Sequence, residues 1–205
     1  MKKRIGLMGG TFDPIHYGHL VAAEEARYQF AMEKVIFVPA SRPPHKSNRH
    51  ISTPEQRLAM TKIAVNSNPY FTTSDIEIKR AGLSYTVDTV RAMKQANPDG
   101  EIYFITGADA ILDIVTWKNA EGLLGECIFV AATRPGFYLE AIEDKLDRLS
   151  KAALMKIKTI EVPALAISST DIRQRVCEGR PIKYLLPDEV EKFIHQSNLY
   201  RSASW

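Results

Sequence analysis

Short apolar runs alternate with longer amphipathic segments along most of the chain. Five of these runs have the length of β-strands, and the central ones are almost continuously apolar, which is typical of strands buried on both faces. The runs are residues 4–8, 34–38, 101–106, 127–132 and 156–162. Residues 71–79 alternate apolar and polar positions more regularly, and this pattern predicts an exposed strand.

Helix signals lie between these runs. Thr53, Pro54 and Gln56 have the types and the spacing of an N-cap, a first-turn proline and a capping box. A second helix is predicted to begin at Thr86 and to end at the turn-forming residues 97–100. Apolar stripes predict further helices over residues 138–153 and after Pro187. Their members are Tyr138, Ile142, Leu146, Leu149 and Ala153, and then Val190, Phe193 and Ile194.

The alternation of strands and helices predicts an α/β fold, a Rossmann-like doubly wound parallel sheet with helices on both faces. A chain of 205 residues has the length of one domain. We therefore expect a single domain over residues 1–205, with a C-terminal helical part from about residue 168 packed on it. Ligands of such folds bind at the carboxyl ends of the strands.

Composition excludes several other classes. Hydrophobic residues make up 45% and charged residues 25%, which argues against disorder, collagen and coiled coil. A net charge of +3 suits anionic ligands but is too weak to indicate nucleic-acid binding. Two cysteines indicate a reducing compartment, and no apolar run has the length of a membrane span. We expect a soluble cytoplasmic protein that binds neither nucleic acid nor membrane. The sequence is compatible with a homodimer but does not determine the oligomeric state.

The densest group of candidate functional residues is G-G-T-F-D-P-I-H-Y-G-H, residues 9–19. It follows the first predicted strand and precedes a helix predicted to run to about Ala31. The adjacent Gly9 and Gly10 would let the backbone approach a ligand closely. The helix start would offer free N–H groups and a positive dipole end to an anion. His16 and His19 are three residues apart, so they share one helix face and can donate hydrogen bonds to phosphate oxygens.

Other phosphate and metal motifs do not fit this segment. The chain has no G-x-x-x-x-G-K-[ST] sequence, and Gly6-Leu7-Met8-Gly9-Gly10 does not match G-x-G-x-x-G. A zinc site would need H-E-x-x-H or a third close ligand, so we predict no metal ligand. From spacing alone, ordinary helix-start histidines and a zinc-binding structural module remain as alternatives.

Residues 9–19 closely resemble the H-x-G-H motif of the nucleotidyltransferase superfamily related to class I aminoacyl-tRNA synthetases. In full, the segment resembles that of the bacterial nicotinate-mononucleotide adenylyltransferases. The resemblance continues in order over essentially the whole chain. The further matches are Pro43-Pro44-His45-Lys46, Ser84-Tyr85-Thr86, Gly107-Ala108-Asp109, Thr116-Trp117, Arg134-Pro135-Gly136 and Ile167-Ser168-Ser169-Thr170-Asp171-Ile172-Arg173. The first and last motifs are common to the superfamily, whereas Ser84-Tyr85-Thr86, Trp117 and Arg134-Pro135-Gly136 specify the family.

The resemblance implies transfer of AMP from ATP to nicotinate mononucleotide, giving deamido-NAD and pyrophosphate in NAD biosynthesis, with Mg²⁺ bound with the ATP. The attacking group is already a phosphate oxyanion, and the leaving group is pyrophosphate. Catalysis then consists of positioning and of neutralising charge, without a covalent intermediate.

The resemblance also implies residue roles. His16, His19 and Arg173 would be catalytic, with Arg173 clamping phosphate oxygens. The ATP-binding residues would be Gly9, Gly10, Thr11, Phe12, Gly107, Asp109, Ser168, Ser169 and Thr170. Without the family, Asp109 is equally well read as an N-cap and Arg173 as a solvated helix arginine.

For the acceptor, the resemblance implies that nicotinate stacks on Trp117 and that its carboxylate lies near Thr86. Lys118 stands where relatives carry an aromatic residue. Arg134, Lys46 and His45 are candidates for phosphate contact. The last two lie in the polar, basic stretch 40–53, which is either a solvated connection or an anion-contacting loop.

Three rival functions remain. Phosphopantetheine adenylyltransferases share the first and last motifs but lack the features at Trp117 and 134–136. A nicotinamide mononucleotide adenylyltransferase would differ only in acceptor. A non-catalytic nucleotide-binding regulator would not require His16, His19 and Arg173 together.

Overall fold

A computed structural model describes residues 2–43, 51–80, 82–133, 149–163 and 166–202. The strands are β1 (Lys3–Gly10), β2 (Lys34–Pro39), β3 (Phe71–Thr73), β4 (Gly100–Gly107), β5 (Ile128–Thr133) and β6 (Ile157–Glu161). The α-helices are α1 (Tyr17–Gln29), α2 (Pro54–Val65), α3 (Ile76–Lys79), α4 (Thr86–Ala96), α5 (Ala108–Leu112), α6 (Ala120–Glu126), α7 (Lys151–Leu154), α8 (Ser169–Cys177) and α9 (Asp188–Gln196). A short 3-10 helix spans Ile114–Thr116.

The strands form one sheet in the order β3-β2-β1-β4-β5-β6. The neighbours β1, β4, β5 and β6 pair in parallel, with Met8 opposite Ile105 and Ile105 opposite Val130. This order is that of the Rossmann fold. The chain adds strands towards one edge of the sheet up to β3 and towards the other edge from β4, so the switch point lies between β1 and β4. The predicted Rossmann-like α/β fold is confirmed.

Each of the five apolar runs forms a strand, with bounds within two residues of the prediction. The prediction for residues 71–79 is wrong beyond β3, because the chain turns into α3. The hydroxyl of Ser74 accepts the Ile76 N–H at 3.4 Å, and Lys79 pairs with Asp75 at 3.1 Å. Local side-chain bonds of this kind offer the backbone a turn in place of a sheet ladder.

The predicted capping box at α2 is confirmed: the Thr53 hydroxyl accepts the Gln56 N–H at 3.3 Å, and Gln56 accepts the Thr53 N–H at 3.0 Å. The helix predicted from Thr86 is α4, and the one predicted after Pro187 is α9. The helix predicted over 138–153 lies mostly outside the described residues, which show α7 at its end.

The chain divides into two compact units, each discontinuous in sequence. The first unit consists of Met1–Gly9, Ala22–Ile36 and Tyr85–Ala164, and the second of Gly10–Val21, Phe37–Ser84 and Leu165–Trp205. The expectation of a single domain with a packed C-terminal part stays a prediction.

Each unit has an apolar core. In the first unit the fully buried side chains include Leu7, Ile105, Leu123, Phe129 and Val130. In the second unit they include Ile15, Phe37, Met60, Ile172 and Leu186. Within the described residues, we find no helix with the length and apolar character that crossing a membrane requires.

Candidate functional site

The loop that follows β1 belongs to the second unit, and we call its residues 11–16 the β1–α1 loop. Its backbone carbonyls, and that of the residue before it, are held by donors from several parts of the sequence. Gly10 O accepts the Ala40 N–H at 2.8 Å, and Thr11 O accepts from Arg57 Nη1 at 2.8 Å. Asp13 O accepts from Arg173 Nη1 at 2.7 Å.

These carbonyl bonds also determine where the loop's N–H groups point. A trans peptide holds its C=O and the following N–H in opposite directions. Because the carbonyls of Gly10 and Thr11 face protein donors, the N–H groups of Thr11 and Phe12 point the opposite way. Neighbouring N–H groups that point away from the protein's own acceptors can bind an anion.

The two histidines of the motif lie together at the end of this loop. Their ring centroids are 3.8 Å apart and the rings are stacked, with an interplanar angle of 29°. The backbone N–H of His16 donates to His19 Nδ1 at 3.2 Å, so a neutral His19 carries its proton on Nε2. His16 is 6% exposed, and burial lowers its pKa to about 4. His16 is therefore a neutral imidazole at pH 7, and its buried Nδ1 has no hydrogen-bond partner among the described residues.

The start of α1 offers fewer free N–H groups than the sequence suggests. The His16 N–H is bound by His19, and the Tyr17 N–H donates to Leu185 O at 3.1 Å. Two of the N–H groups expected to be free at this helix start are therefore occupied, one by a side chain and one by a distant carbonyl. The donors that remain for an anion here are mainly side chains and the β1–α1 loop.

The last motif lies against the β1–α1 loop, although more than 150 residues separate them in sequence. The Ser169 hydroxyl donates to Pro14 O at 2.9 Å. Ser168 is the N-cap of α8, and its hydroxyl accepts the Asp171 N–H at 3.1 Å. Both hydroxyls thus have structural partners, whereas Thr170 is exposed in the first turn of α8.

Arg173 lies one turn into α8 and is not a solvated helix arginine. Its Nη1 is committed to Asp13 O, and its Nη2 is 3.4 Å from Thr170 Oγ1. Its buried Nε has no partner in the described part of the chain. The Nε–Nη2 edge is the side of a guanidinium that binds two oxygens of a phosphate. On this edge Nη2 makes only the long bond to Thr170, and Nε is unused within the described residues.

The glycines of the first motif have a packing role that the sequence does not reveal. A Cβ on Gly9 would stand 2.9 Å from Phe104 Cζ, and one on Gly10 would stand 2.9 Å from the Phe12 ring. Neighbouring aromatic rings therefore occupy the space beside both glycines. Phe12 itself has a φ of 51°, and its ring packs edge-on against His19.

Gly107 and Asp109 lie at the carboxyl end of β4 in the first unit. The N-cap of α5 is Gly107, so the alternative reading of Asp109 as an N-cap is wrong. Asp109 is exposed in the first turn of α5. A Cβ on Gly107 would meet nothing within 4 Å, so packing does not require a glycine there.

The residues predicted to contact the nicotinate group, Thr86, Trp117 and Lys118, lie in the first unit. Trp117 is partly exposed and meets Phe104 and Phe129 edge-on, with ring centroids 6.2 and 6.1 Å away. Thr86 is the first residue of α4, which has no side-chain cap. Lys118 Nζ lies 3.2 Å from Asp88 Oδ2 and 4.3 Å from the Tyr85 ring centroid. Asp88 therefore offsets the positive charge that Lys118 would bring to this region.

Three predicted phosphate contacts, His45, Lys46 and Arg134, lie outside the described residues. Over the ranges that are described, no group of three or more His, Cys, Asp or Glu residues could hold a metal ion.

Sequence reasoning missed four residues around these sites: Asp13, Arg57 and Tyr200 in the second unit, and Asp88 in the first. The signal for Arg57 is its place in α2, where it shares the buried stripe with Met60, Thr61 and Ala64. A charged residue on an apolar helix face indicates a buried hydrogen-bond network. Tyr200 carries no comparable local signal.

The loop, its histidines and Arg173 on a Rossmann-like sheet define a nucleotide-binding α/β protein. The chain belongs to the cytidylyltransferase-like family, whose sequence model matches residues 7–175.

Within this class, the chain belongs with the nicotinate-nucleotide adenylyltransferases. A protein of Moorella thermoacetica named "Probable nicotinate-nucleotide adenylyltransferase" is 58% identical over 199 residues, covering 97% of this chain and 92% of the relative. A protein of the same name from Streptomyces coelicolor is 48% identical over 196 residues, covering 95% and 99%. The family assignment made from the motifs is confirmed.

Solved structures share the fold. The structure described as Plasmodium falciparum nicotinic acid mononucleotide adenylyltransferase complexed with NaAD has a TM-score of 0.79 and 24% identity, with 97% of each chain covered. The same protein complexed with APC gives a TM-score of 0.76.

Proposed function

We propose that this protein transfers AMP from ATP to nicotinate mononucleotide, giving deamido-NAD and pyrophosphate as a step of NAD biosynthesis. One observation carries the proposal. The second unit gathers the β1–α1 loop, a neutral buried His16 and the Nε–Nη2 edge of Arg173 within one hydrogen-bonded cluster. The names of the relatives that are 46–58% identical support the same activity.

The chemistry of the transfer matches this set of groups. A phosphate oxygen of the acceptor bonds to the α-phosphorus of ATP, and the bond from that phosphorus to the bridging oxygen breaks. The electron pair leaves with pyrophosphate. Because the nucleophile is already an anion, no general base is required. The protein contributes positioning and hydrogen bonds that strengthen as charge develops.

His16, His19 and Arg173 are the catalytic residues of this proposal. His16 donates a hydrogen bond as a neutral imidazole, and His19 donates from Nε2. Arg173 binds two phosphate oxygens with its Nε–Nη2 edge while its Nη1 stays on Asp13 O. In-line transfer from ATP then needs no covalent intermediate.

Backbone and small residues complete ATP binding in this proposal. They are Gly9, Gly10, Thr11 and Phe12 after β1, Gly107 and Asp109 after β4, and Ser168, Ser169 and Thr170 at the start of α8. Mg²⁺ would be held mainly by the phosphate oxygens of ATP and by water, and it would offset the charge of those phosphates.

The nicotinate group of the acceptor is bound by the first unit. The partly exposed face of Trp117 stacks on the nicotinate ring, and the start of α4 at Thr86 attracts its carboxylate. Lys118 contributes positive charge that Asp88 partly offsets. His45, Lys46 and Arg134 remain candidates for the acceptor phosphate.

We also propose a cytoplasmic location, since Cys127 and Cys177 are free thiols. A homodimer is compatible with the proposal.

A substrate panel tests the proposal. Purified protein, ATP and Mg²⁺ are mixed with nicotinate mononucleotide, nicotinamide mononucleotide or phosphopantetheine, and pyrophosphate release and the dinucleotide product are measured. We expect the fastest release with nicotinate mononucleotide. In its absence we expect no exchange of labelled pyrophosphate into ATP, since such exchange would indicate an adenylylated enzyme.

Other outcomes identify the rivals. Faster turnover of phosphopantetheine or of nicotinamide mononucleotide would show that this compound, and not nicotinate mononucleotide, is the acceptor. Tight ATP binding without pyrophosphate release for any acceptor would identify a non-catalytic regulator. The His19→Ala variant is the control, since loss of one such donor lowers kcat by about 10²–10³.

A further inference from the structure

A buried polar network lies behind the β1–α1 loop, wholly within the second unit. Asp13, Ser52, Arg57 and Tyr200 are each 3% exposed or less. The Tyr200 hydroxyl donates to Asp13 Oδ1 at 2.7 Å, and the Ser52 N–H donates to Asp13 Oδ2 at 3.3 Å. The Ser52 hydroxyl donates to Tyr200 Oη at 3.2 Å. Both carboxylate oxygens of Asp13 are therefore bound from the interior.

Arg57 extends this network along the backbone. It donates to three carbonyls: Ser52 O at 3.0 Å, Thr11 O at 2.8 Å and Ser41 O at 3.0 Å. A guanidinium is a rigid planar fork, so its three acceptors have fixed relative positions. The β1–α1 loop is thereby joined to the chain before α2 and to the chain after β2.

The loop needs such support. Phe12 has a φ of 51°, in the left-handed region that bulky side chains rarely adopt. A strained backbone persists only where its surroundings determine it. If the Thr11–Phe12 peptide rotated, Thr11 O would lose its bond to Arg57, and that buried guanidinium would lose an acceptor.

Tyr200 completes the network from the segment that follows α9. Its ring is fully buried, and its φ of 63° places it in the left-handed region. Burial and the neighbouring Asp13 charge raise the pKa of Tyr200, so its hydroxyl stays protonated and donates. Its direct link to the loop is the hydrogen bond from its hydroxyl to the Asp13 carboxylate.

We propose that Tyr200, Ser52 and Arg57 are positioning residues that hold the β1–α1 loop, through Asp13 and Thr11, in the conformation required for adenylyl transfer. This inference rests on the proposed function. The Tyr200 hydroxyl holds the carboxylate of Asp13, and Arg173 holds the carbonyl of the same residue. The segment after α9 is thus linked through Tyr200 and Asp13 to Arg173, the proposed phosphate clamp.

The test compares Tyr200→Phe with two control variants. Tyr184→Phe removes the same hydroxyl from a tyrosine that is 80% exposed. Val190→Ala removes buried methyl groups from α9 in the same unit and lowers stability without removing a hydrogen bond of the network. We measure kcat, KM for ATP, the unfolding midpoint and amide hydrogen exchange of the loop. For Tyr200→Phe we expect kcat to fall about tenfold or more, KM to change less than about threefold, and loop exchange to become faster.

Three results would overturn the inference. The first is a wild-type kcat in Tyr200→Phe. The second is a fall of kcat in Val190→Ala as large as that in Tyr200→Phe, with the same unfolding midpoint in both variants. That result would indicate that kcat falls through a general loss of stability. The third is unchanged loop exchange. If Tyr200→Phe does not fold, Ser52→Ala decides, with a smaller fall in kcat expected because the Ser52 N–H still holds Asp13. Wild-type protein that lacks adenylyl transfer would instead contradict the proposed function, while loop exchange in the variants would still report on the network.

Discussion

The imidazole of His16 lies directly against the backbone of Gly18. A Cβ placed on Gly18 would stand 3.0 Å from His16 Nδ1 and 3.1 Å from its Cε1. Contacts this close force a neighbouring group to move by a few tenths of an ångström. The glycine between the two histidines therefore makes room for the first of them.

This contact predicts that Gly18→Ala affects catalysis much more than stability. Alanine in a helix is favoured over glycine by about 0.5–1 kcal/mol, and this gain offsets part of the cost of displacing the buried His16 ring, so the unfolding midpoint should change little. The displaced His16 ring should lower kcat by roughly 10- to 100-fold. Gly125→Ala is the matched control, because a Cβ there meets nothing within 4 Å and Gly125 lies in α6. Equal kcat values for the two variants would contradict the role of this contact.

The buried His16 also predicts how stability depends on pH. Its pKa is lowered to about 4 in the folded protein, against 6.5 for an ordinary histidine. Between these values the unfolded chain binds the additional proton, so the stabilisation is complete above about pH 6.5 and is lost as pH falls through 4. The difference corresponds to roughly 3 kcal/mol.

Urea unfolding at pH 7.5 and 4.5 measures this effect. His16→Gln should lose less stability than wild type over this range, because its side chain does not titrate. His195→Gln is the control, since His195 is exposed at the end of α9. Parallel pH curves for wild type and His16→Gln would show that His16 titrates normally.

The sheet and the first motif could be predicted because their signals are local. Buried parallel strands read as apolar runs, and the bounds of β1 and β4 follow from those runs. Arg57 and Tyr200 could not be assigned roles from sequence. Their partners are carbonyls and a carboxylate up to 187 residues away, and no periodicity records such distances. The partner of Lys118 could not be predicted for the same reason, because Asp88 is 30 residues away in sequence and only the fold brings the two charges together.

Two glycines at strand ends should respond differently to alanine. Gly107 has an extended backbone and open space at its Cβ position, so Gly107→Ala should leave the unfolding midpoint unchanged. If ATP passes close to this residue, the methyl group should raise KM for ATP about tenfold, a cost of about 1.4 kcal/mol. Gly9→Ala should instead destabilise the protein by roughly 1–3 kcal/mol, because its Cβ would overlap Phe104. A wild-type KM in Gly107→Ala would remove this residue from the ATP site.

The start of α4 predicts how the protein selects its acceptor. A nicotinate carboxylate only accepts hydrogen bonds, whereas a nicotinamide carboxamide also donates them. The uncapped start of α4 at Thr86 favours the anion, and polar mismatches of this kind discriminate strongly. We expect kcat/KM for nicotinate mononucleotide to exceed that for nicotinamide mononucleotide by at least ~10², about 2.7 kcal/mol.

Asp88 would oppose this selection if it were unpaired, because a carboxylate in the first turn of α4 repels nicotinate and can accept from a carboxamide. Lys118 suppresses that effect by holding Asp88 Oδ2 at 3.2 Å. Lys118→Ala should therefore lower the selectivity ratio about fivefold, near 1 kcal/mol of electrostatic interaction. Adding Asp88→Asn to Lys118→Ala should restore the ratio, since the exposed carboxylate charge is then gone. Steady-state kinetics with both acceptors at saturating ATP measures the selectivity ratio of the wild type and of each variant. A ratio that stays low in the double variant would mean that Lys118 acts on the acceptor directly and not by neutralising Asp88.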